Sequence, residues 1–135
     1  MALIPYIHFG GNCEEAMTFY AGVFGATDLR IMRYADGPDD MPMPRSDRVM
    51  HSQFSSDGAT LMASDFPEGP GEPQAGMSVT CTAETVAEAR ARFDALSEGG
   101  AIIMPFGPTF WSKGFGMFKD RFGTHWIIDS EPAGD

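Results

Sequence analysis

Apolar and polar residues follow one another with two different periods along this chain, and the same succession of periods occurs twice. Alternation every second residue marks a strand, because successive side chains leave it on opposite faces. Recurrence at three and four residues marks one face of a helix. Leu3 to Phe9 reads as a strand. Asn12 and Glu15 have the spacing of a capping box, and Ala16, Phe19, Tyr20 and Val23 form a helical stripe that Gly25 can end in the left-handed conformation. Ala26 to Tyr34 predicts the next strand. Val49 to Ser55 and Thr60 to Ser64 predict a hairpin through Ser56, Asp57 and Gly58, where Asp-Gly suits positive backbone angles.

The second copy runs in the same order. Gly76 to Thr82 predicts a strand, Thr85 and Glu88 repeat the capping spacing, and Val86, Ala89, Phe93 and Leu96 repeat the stripe before Gly99 and Gly100. Ala101 to Met104, Gly114 to Lys119 and Thr124 to Asp129 predict the remaining strands, with the aromatic loop PFGPTFWSKG between them. Three prolines and four aspartates in ADGPDDMPMPRSD, residues 35–47, exclude a central strand. That stretch reads as a solvated excursion, or as a lid or partner-contact loop carrying Met41 and Met43. The chain is therefore expected to be a single α+β domain, 1–135. Paired βαβββ modules, 1–66 and 75–131, are joined by a Pro/Gly-rich linker, 67–74. Joined edge to edge, they would form a curved eight-strand half-barrel, with the helices outside and a ligand cleft on the inner surface.

Composition narrows the class. With 43% apolar and 21% charged residues, 135 residues can bury a core without staples. Ten methionines and eleven phenylalanines supply soft and aromatic packing, either as core filler or as an adaptable pocket wall. A formal net charge of -10 without a basic stripe would repel nucleic acid. Cys13 and Cys81 are too few for a disulfide framework, and neither a secretory signal nor a long apolar span is present, so a cytoplasmic protein without membrane association is expected.

The strand pattern also places the polar groups. His51 and Gln53 share one face of VMHSQFS, opposite Met50, Ser52 and Phe54. His125, Ile127 and Asp129 share a face of the last strand, opposite Trp126 and Ile128. A concave surface bearing His51, Gln53 and His125 has metal-ligand or general-base potential; the plainer reading is a half-exposed polar sheet. His8 either reaches the cleft or packs as a hydrogen-bonded core residue. Phe110 and Trp111, close to Lys113, either stack on a planar or cationic ligand or plug a hydrophobic seam. Cys13 lies at a first helical turn, where the dipole lowers a thiol pKa, though Glu14 and Glu15 oppose this; Cys81 reads as a quiet strand position. No G-x-G-x-x-G, G-K-[ST] or G-x-S-x-G signature occurs, which argues against nucleotide cofactors and hydrolase triads.

Taken together, PYIHFGGNCEEAMTFYAGVFGA, VMHSQFSSDGATLMASD and TFWSKGFGMFKDRFGTHW resemble the PhnB-like branch of the glyoxalase/bleomycin-resistance/dioxygenase superfamily, the vicinal-oxygen-chelate fold, over essentially the whole chain. The resemblance implies paired βαβββ modules and a homodimer. Some relatives carry a demethylubiquinone methyltransferase label, but this chain has no recognisable glycine-rich methyl-donor site, and the fold does not itself imply methyl transfer. In metal-using relatives four strand positions hold a divalent metal. Carried over, these fall near Pro5, at or beside His51, near Met77 or Ser78, and at Ile127, so only His51 matches as a metal ligand. The expectation is a small-molecule-binding protein of the resistance or sequestration type with a degenerate metal site and no cofactor. His51, Gln53, Phe110, Trp111 and His125 would contact a small organic molecule, a cationic one being favoured. The rivals are a divalent-metal-dependent lyase, isomerase or dioxygenase, and a structural or regulatory homodimer with Met41 to Pro44 as partner surface.

Overall fold

The computed structural model describes residues 1–43 and 45–131, so Pro44, one end of the expected partner loop, lies outside the described residues. The chain divides into two compact units, Met1–Pro73 and Gln74–Asp135. The first contains β1 (Tyr6–Phe9), α1 (Cys13–Val23), β2 (Arg30–Arg33), β3 (Val49–Ser56) and β4 (Ala59–Asp65). The second contains β5 (Val79–Ala83), α2 (Val86–Ser97), β6 (Ala101–Gly107), β7 (Phe115–Lys119) and β8 (His125–Ser130). The strands form two four-stranded sheets of identical plan, β1-β4-β3-β2 and β5-β8-β7-β6. In each, the first strand pairs parallel with the last, and the other ladders are antiparallel. This is an α+β fold of two βαβββ modules, each with its own open sheet.

One face of each sheet is covered by its helix. On α1 the buried residues are Cys13, Ala16, Met17, Tyr20 and Ala21, the i, i+3, i+4, i+7, i+8 series of a helix lying on a sheet. The predicted stripe was offset: Tyr20 and Ala16 hold their places, but Phe19 and Val23 are only half-buried, and Met17 takes the central position. Ile7, Phe9, Ser52, Phe54, Leu61 and Ala63 form the covered side of the first sheet. In the second module Ala89, Phe93 and Leu96 of α2 are buried, as are Phe118, Trp126 and Ile128 from the strands. The Phe93 ring meets Phe118 edge-on at 5.1 Å.

Four local departures have physical causes. Asn12 precedes α1 but its side chain makes no cap; instead Oδ1 of Asp65 accepts the N–H groups of Gly11 and Cys13 at 2.9 and 3.0 Å. Strand β2 is four residues rather than nine, because the Asp28 carboxylate takes the Ser55 N–H that a longer ladder would use. The excursion after β2 begins with a short 3-10 turn, Tyr34–Asp36, and Arg45 ties the far side of the loop to the carbonyls of Ala35 and Gly37 and to Asp39. Strand β6 runs past Met104 to Gly107, since an edge strand with irregular register tolerates Pro105. The Asp57-Gly58 turn has the expected positive φ values, 50° and 80°.

Candidate functional site

The side chains on the face of the first sheet turned from α1 follow from register. His51 and Gln53 stand opposite Met32 and Arg30 of β2; Gln53 also pairs with Met62, Met62 with Tyr6, and Ser64 with His8. Cross-strand partners share a face, so these side chains lie on the side away from α1. There, Tyr6 Oη lies 3.0 Å from Nδ1 of His51, and Nε2 of His51 lies 2.9 Å from Oε1 of Gln53. The geometry selects one tautomer. Oε1 can only accept, so Nε2 carries the proton and donates, which leaves Nδ1 to accept from the Tyr6 hydroxyl. The Gln53 amide nitrogen is thereby turned from the imidazole and offers two N–H donors. His8 is exposed, since Ile7 and Phe9 take the covered positions beside it; core packing of His8 is ruled out. Its ring lies 5.1 Å from Tyr6 and 5.5 Å from Phe66, extending a row of ring faces beside the His51 network.

The second module carries a different surface. Ser112 donates its backbone N–H to Oγ1 of Thr109, and Thr109 donates its own to the Ser112 carbonyl. This tight turn carries Phe110 and Trp111, which are 97% and 51% exposed. Trp111 stands edge-on to Phe110 at 4.7 Å and to Phe115 at 5.2 Å. His125 opposes Lys119 in the β7–β8 ladder, and Nδ1 of His125 is buried without a hydrogen-bond partner. Asp129 shares that face, and its Oδ1 is in the same condition. Sequence reasoning put Asp129 on the right face but gave it no role. The contact of the Tyr6 hydroxyl with His51 lay outside what strand alternation could supply.

The cysteines are quieter than a helix N-terminus suggests. Cys13 is fully buried, its thiol 3.4 Å from the Ser52 hydroxyl, and burial pushes its pKa up to about 12, with Asp65 and Glu14 adding to the rise. The dipole-driven lowering expected at a first turn is therefore overturned by desolvation. Cys81 sits on edge strand β5 with Arg92 donating toward its sulfur at 3.5 Å.

The donors present do not fit a chelated divalent metal. Both ring nitrogens of His51 are engaged by protein groups, Pro5 and Ile127 offer no side-chain donor, Met77 is a largely exposed thioether, and Ser78 offers only a neutral, exposed hydroxyl. Among the described residues no group of three or more His, Cys, Asp or Glu converges as a metal site.

The residues that carry the sequence resemblance hold the backbone. Oδ1 of Asp120 accepts the N–H groups of Phe122 and Thr124 at 2.9 and 2.8 Å, and Oδ2 accepts the Trp126 indole N–H at 2.9 Å. The D-x-FG-x-x-W ending is thus a buried turn clamp. FGGNC forms the seat of Asp65, and a side chain on Gly10 would collide with the Pro70 carbonyl oxygen at 2.5 Å.

Comparison with known proteins agrees with this architecture. A family model described as 3-demethylubiquinone-9 3-methyltransferase matches residues 1–129. The crystal structure of protein PA1353 from Pseudomonas aeruginosa has 41% identity and a TM-score of 0.85, covering 97% of this chain and 98% of that one. A PhnB protein from Bacillus cereus has 27% identity and a TM-score of 0.77, covering 97% and 100%. A glyoxalase/bleomycin resistance protein from Albidiferax ferrireducens shares the fold at 16% identity, with a TM-score of 0.63 over 95% of this chain and 98% of its own. With clamp, cap and duplicated βαβββ plan all in place, the chain belongs to the PhnB-like family of that 3-demethylubiquinone-9 3-methyltransferase model, and its fold is the one seen in the glyoxalase/bleomycin resistance protein.

Proposed function

We propose that the chain binds a small organic molecule without a chelated metal, as a resistance or sequestration protein would. The observation that carries this reading is the Tyr6–His51–Gln53 network, in which both imidazole nitrogens are satisfied by the protein. A histidine held this way orients its neighbours instead of coordinating a metal. The Tyr6 hydroxyl presents lone pairs, the Gln53 amide presents N–H donors, and the Tyr6, His8 and Phe66 rings offer faces for a planar group. On the second module, Phe110, Trp111 and His125 supply exposed rings and a second polar contact. The methyl transfer in the family description is not carried to this chain, because fold alone does not transfer an activity. Cytoplasmic residence and a homodimer belong to the same proposal. The free thiols of Cys13 and Cys81 support the first, and light scattering at micromolar concentration tests the second.

A thermal-shift screen of small cationic and vicinal-dioxygen compounds, run with and without Zn²⁺, Ni²⁺ and Mn²⁺, tests the central claim. Hits are expected to persist in chelator. His51→Ala should weaken hits that bind the first module by about tenfold, near 1.4 kcal/mol. Near-stoichiometric metal after gentle purification, abolished by His51→Ala, would instead establish the metal-dependent lyase, isomerase or dioxygenase. A screen without hits would favour the structural or regulatory homodimer.

A further inference from the structure

Two buried atoms on the face of the second sheet turned from α2 have no hydrogen-bond partner: Nδ1 of His125 and Oδ1 of Asp129. Both belong to β8, with Ile127 between them on the same face. Four residues of strand separate them by about 13 Å. Asp129 as a whole is half-buried, but its Oδ1 is shut off from solvent without a donor, and native proteins rarely leave such an atom unpaired. The surroundings of Asp129 indicate what would complete it. Its register partners are Phe115 on β7 and Thr82 on β5, so neither ladder sets a Lys or Arg directly opposite it. Phe115 meets Trp111 at 5.2 Å, and Trp111 continues to the exposed Phe110. A carboxylate at the foot of a chain of aromatic rings attracts a weakly hydrated positive charge, since ring faces carry negative potential. One carboxylate and hydrocarbon rings cannot satisfy a small, strongly hydrated metal ion.

We propose that the β8 face around Asp129 is a binding subsite for an organic ammonium group, quaternary or protonated. The ammonium sits by Asp129 against Phe115 and Trp111, and the ligand's apolar body runs over Ile127 and its cross-strand neighbour Met117. Nδ1 of His125 meets a polar group at the far end. The subsite rests on the reading that the open sheet faces take small molecules, but it uses none of Tyr6, His51 or Gln53.

The test titrates the full chain with choline and, separately, with its neutral carbon counterpart 3,3-dimethyl-1-butanol, following tryptophan fluorescence and calorimetry. Choline is expected to bind at least about tenfold more tightly than the alcohol, and Asp129→Asn and Trp111→Ala should each remove about tenfold. Asp129→Asn should keep its circular dichroism and melt close to the parent, because Asp129 is half-buried and its Oδ1 has no hydrogen bond to lose. His51→Ala should leave choline binding unchanged. Equal affinity for choline and the alcohol would overturn the proposal, as would full affinity in Asp129→Asn or no choline binding up to about 50 mM. Loss of choline binding in Asp129→Asn, beside first-module hits indifferent to His51→Ala, would sink the first-face reading and leave this subsite standing. The reverse pattern would do the opposite.

Discussion

At the Cys13 thiol, two opposing influences can be weighed directly. The first turn of α1 offers a favourable dipole, yet the side chain is fully buried, and Asp65 and Glu14 place negative charge nearby; burial wins, at about 12. The group is therefore neutral in the folded state at every ordinary pH. Because its folded pKa lies above its unfolded value, the stability it contributes is complete below about pH 9 and is lost as pH rises toward 12. Native protein at pH 8 should accordingly react with one equivalent of a thiol reagent, at Cys81, and with two in denaturant. Rapid modification of Cys13 in the native state would show that the thiol is not sealed. Not every residue was this misleading. Ser52 and Phe54 are buried and His51 and Gln53 face outward, as strand alternation alone requires. The Tyr6 contact that fixes the imidazole could not be read, because it joins residues 45 positions apart through a parallel first strand that closes against β4.

At the scale of elements, the two helices lie on similar sheets but are started differently. Thr85 caps α2 by accepting the Glu88 N–H at 3.1 Å, as the capping spacing predicts. The same spacing at Asn12 predicts a local cap for α1, but the acceptor comes from the end of β4. Asp65 binds Gly11 and Cys13 through Oδ1 and the Val49 N–H through Oδ2, tying helix, strand β3 and strand β4 together. A local motif cannot announce a partner 52 residues away, although an aspartate ending an apolar strand was the available clue. In the second module the corresponding register position is Ser130, whose buried hydroxyl has no partner. The modules thus share topology but not this clamp. Asp65→Ala would strand three donors, two of them buried, and should cost about 3 kcal/mol in urea unfolding. Ser130→Ala, which strands none, should fall within about 0.5 kcal/mol of the parent. Equal effects would mean that Asp65 does not organise the start of α1.

For the molecule as a whole, the duplicated plan was legible because each module repeats strand, helix and three strands with its own turn residues. The aromatic loop and the Asp129 subsite were less so, since exposure of Trp111 and the unmet Oδ1 depend on packing that alternation does not encode. Charge belongs to this scale too. Nine Lys and Arg cannot neutralise nineteen Asp and Glu, and the net charge is -10. The described ion pairs, Arg33–Glu14 and Arg45–Asp39, are exposed and contribute little. Arg33 holds the Glu14 carboxyl below its ordinary range, but the pair is local and leaves the overall excess intact. The excess opposes the compact state through self-repulsion and raises the local concentration of cations near the surface. Salt screens both effects, with a Debye length near 10 Å at 0.1 M. Raising NaCl from about 20 to 200 mM should therefore increase the melting temperature by a few degrees while weakening choline binding several-fold. A melting temperature that falls with salt would show that close attractive pairs, not the excess of acid, dominate the electrostatics. Choline affinity indifferent to salt would leave ring contact, without charge, as the whole attraction.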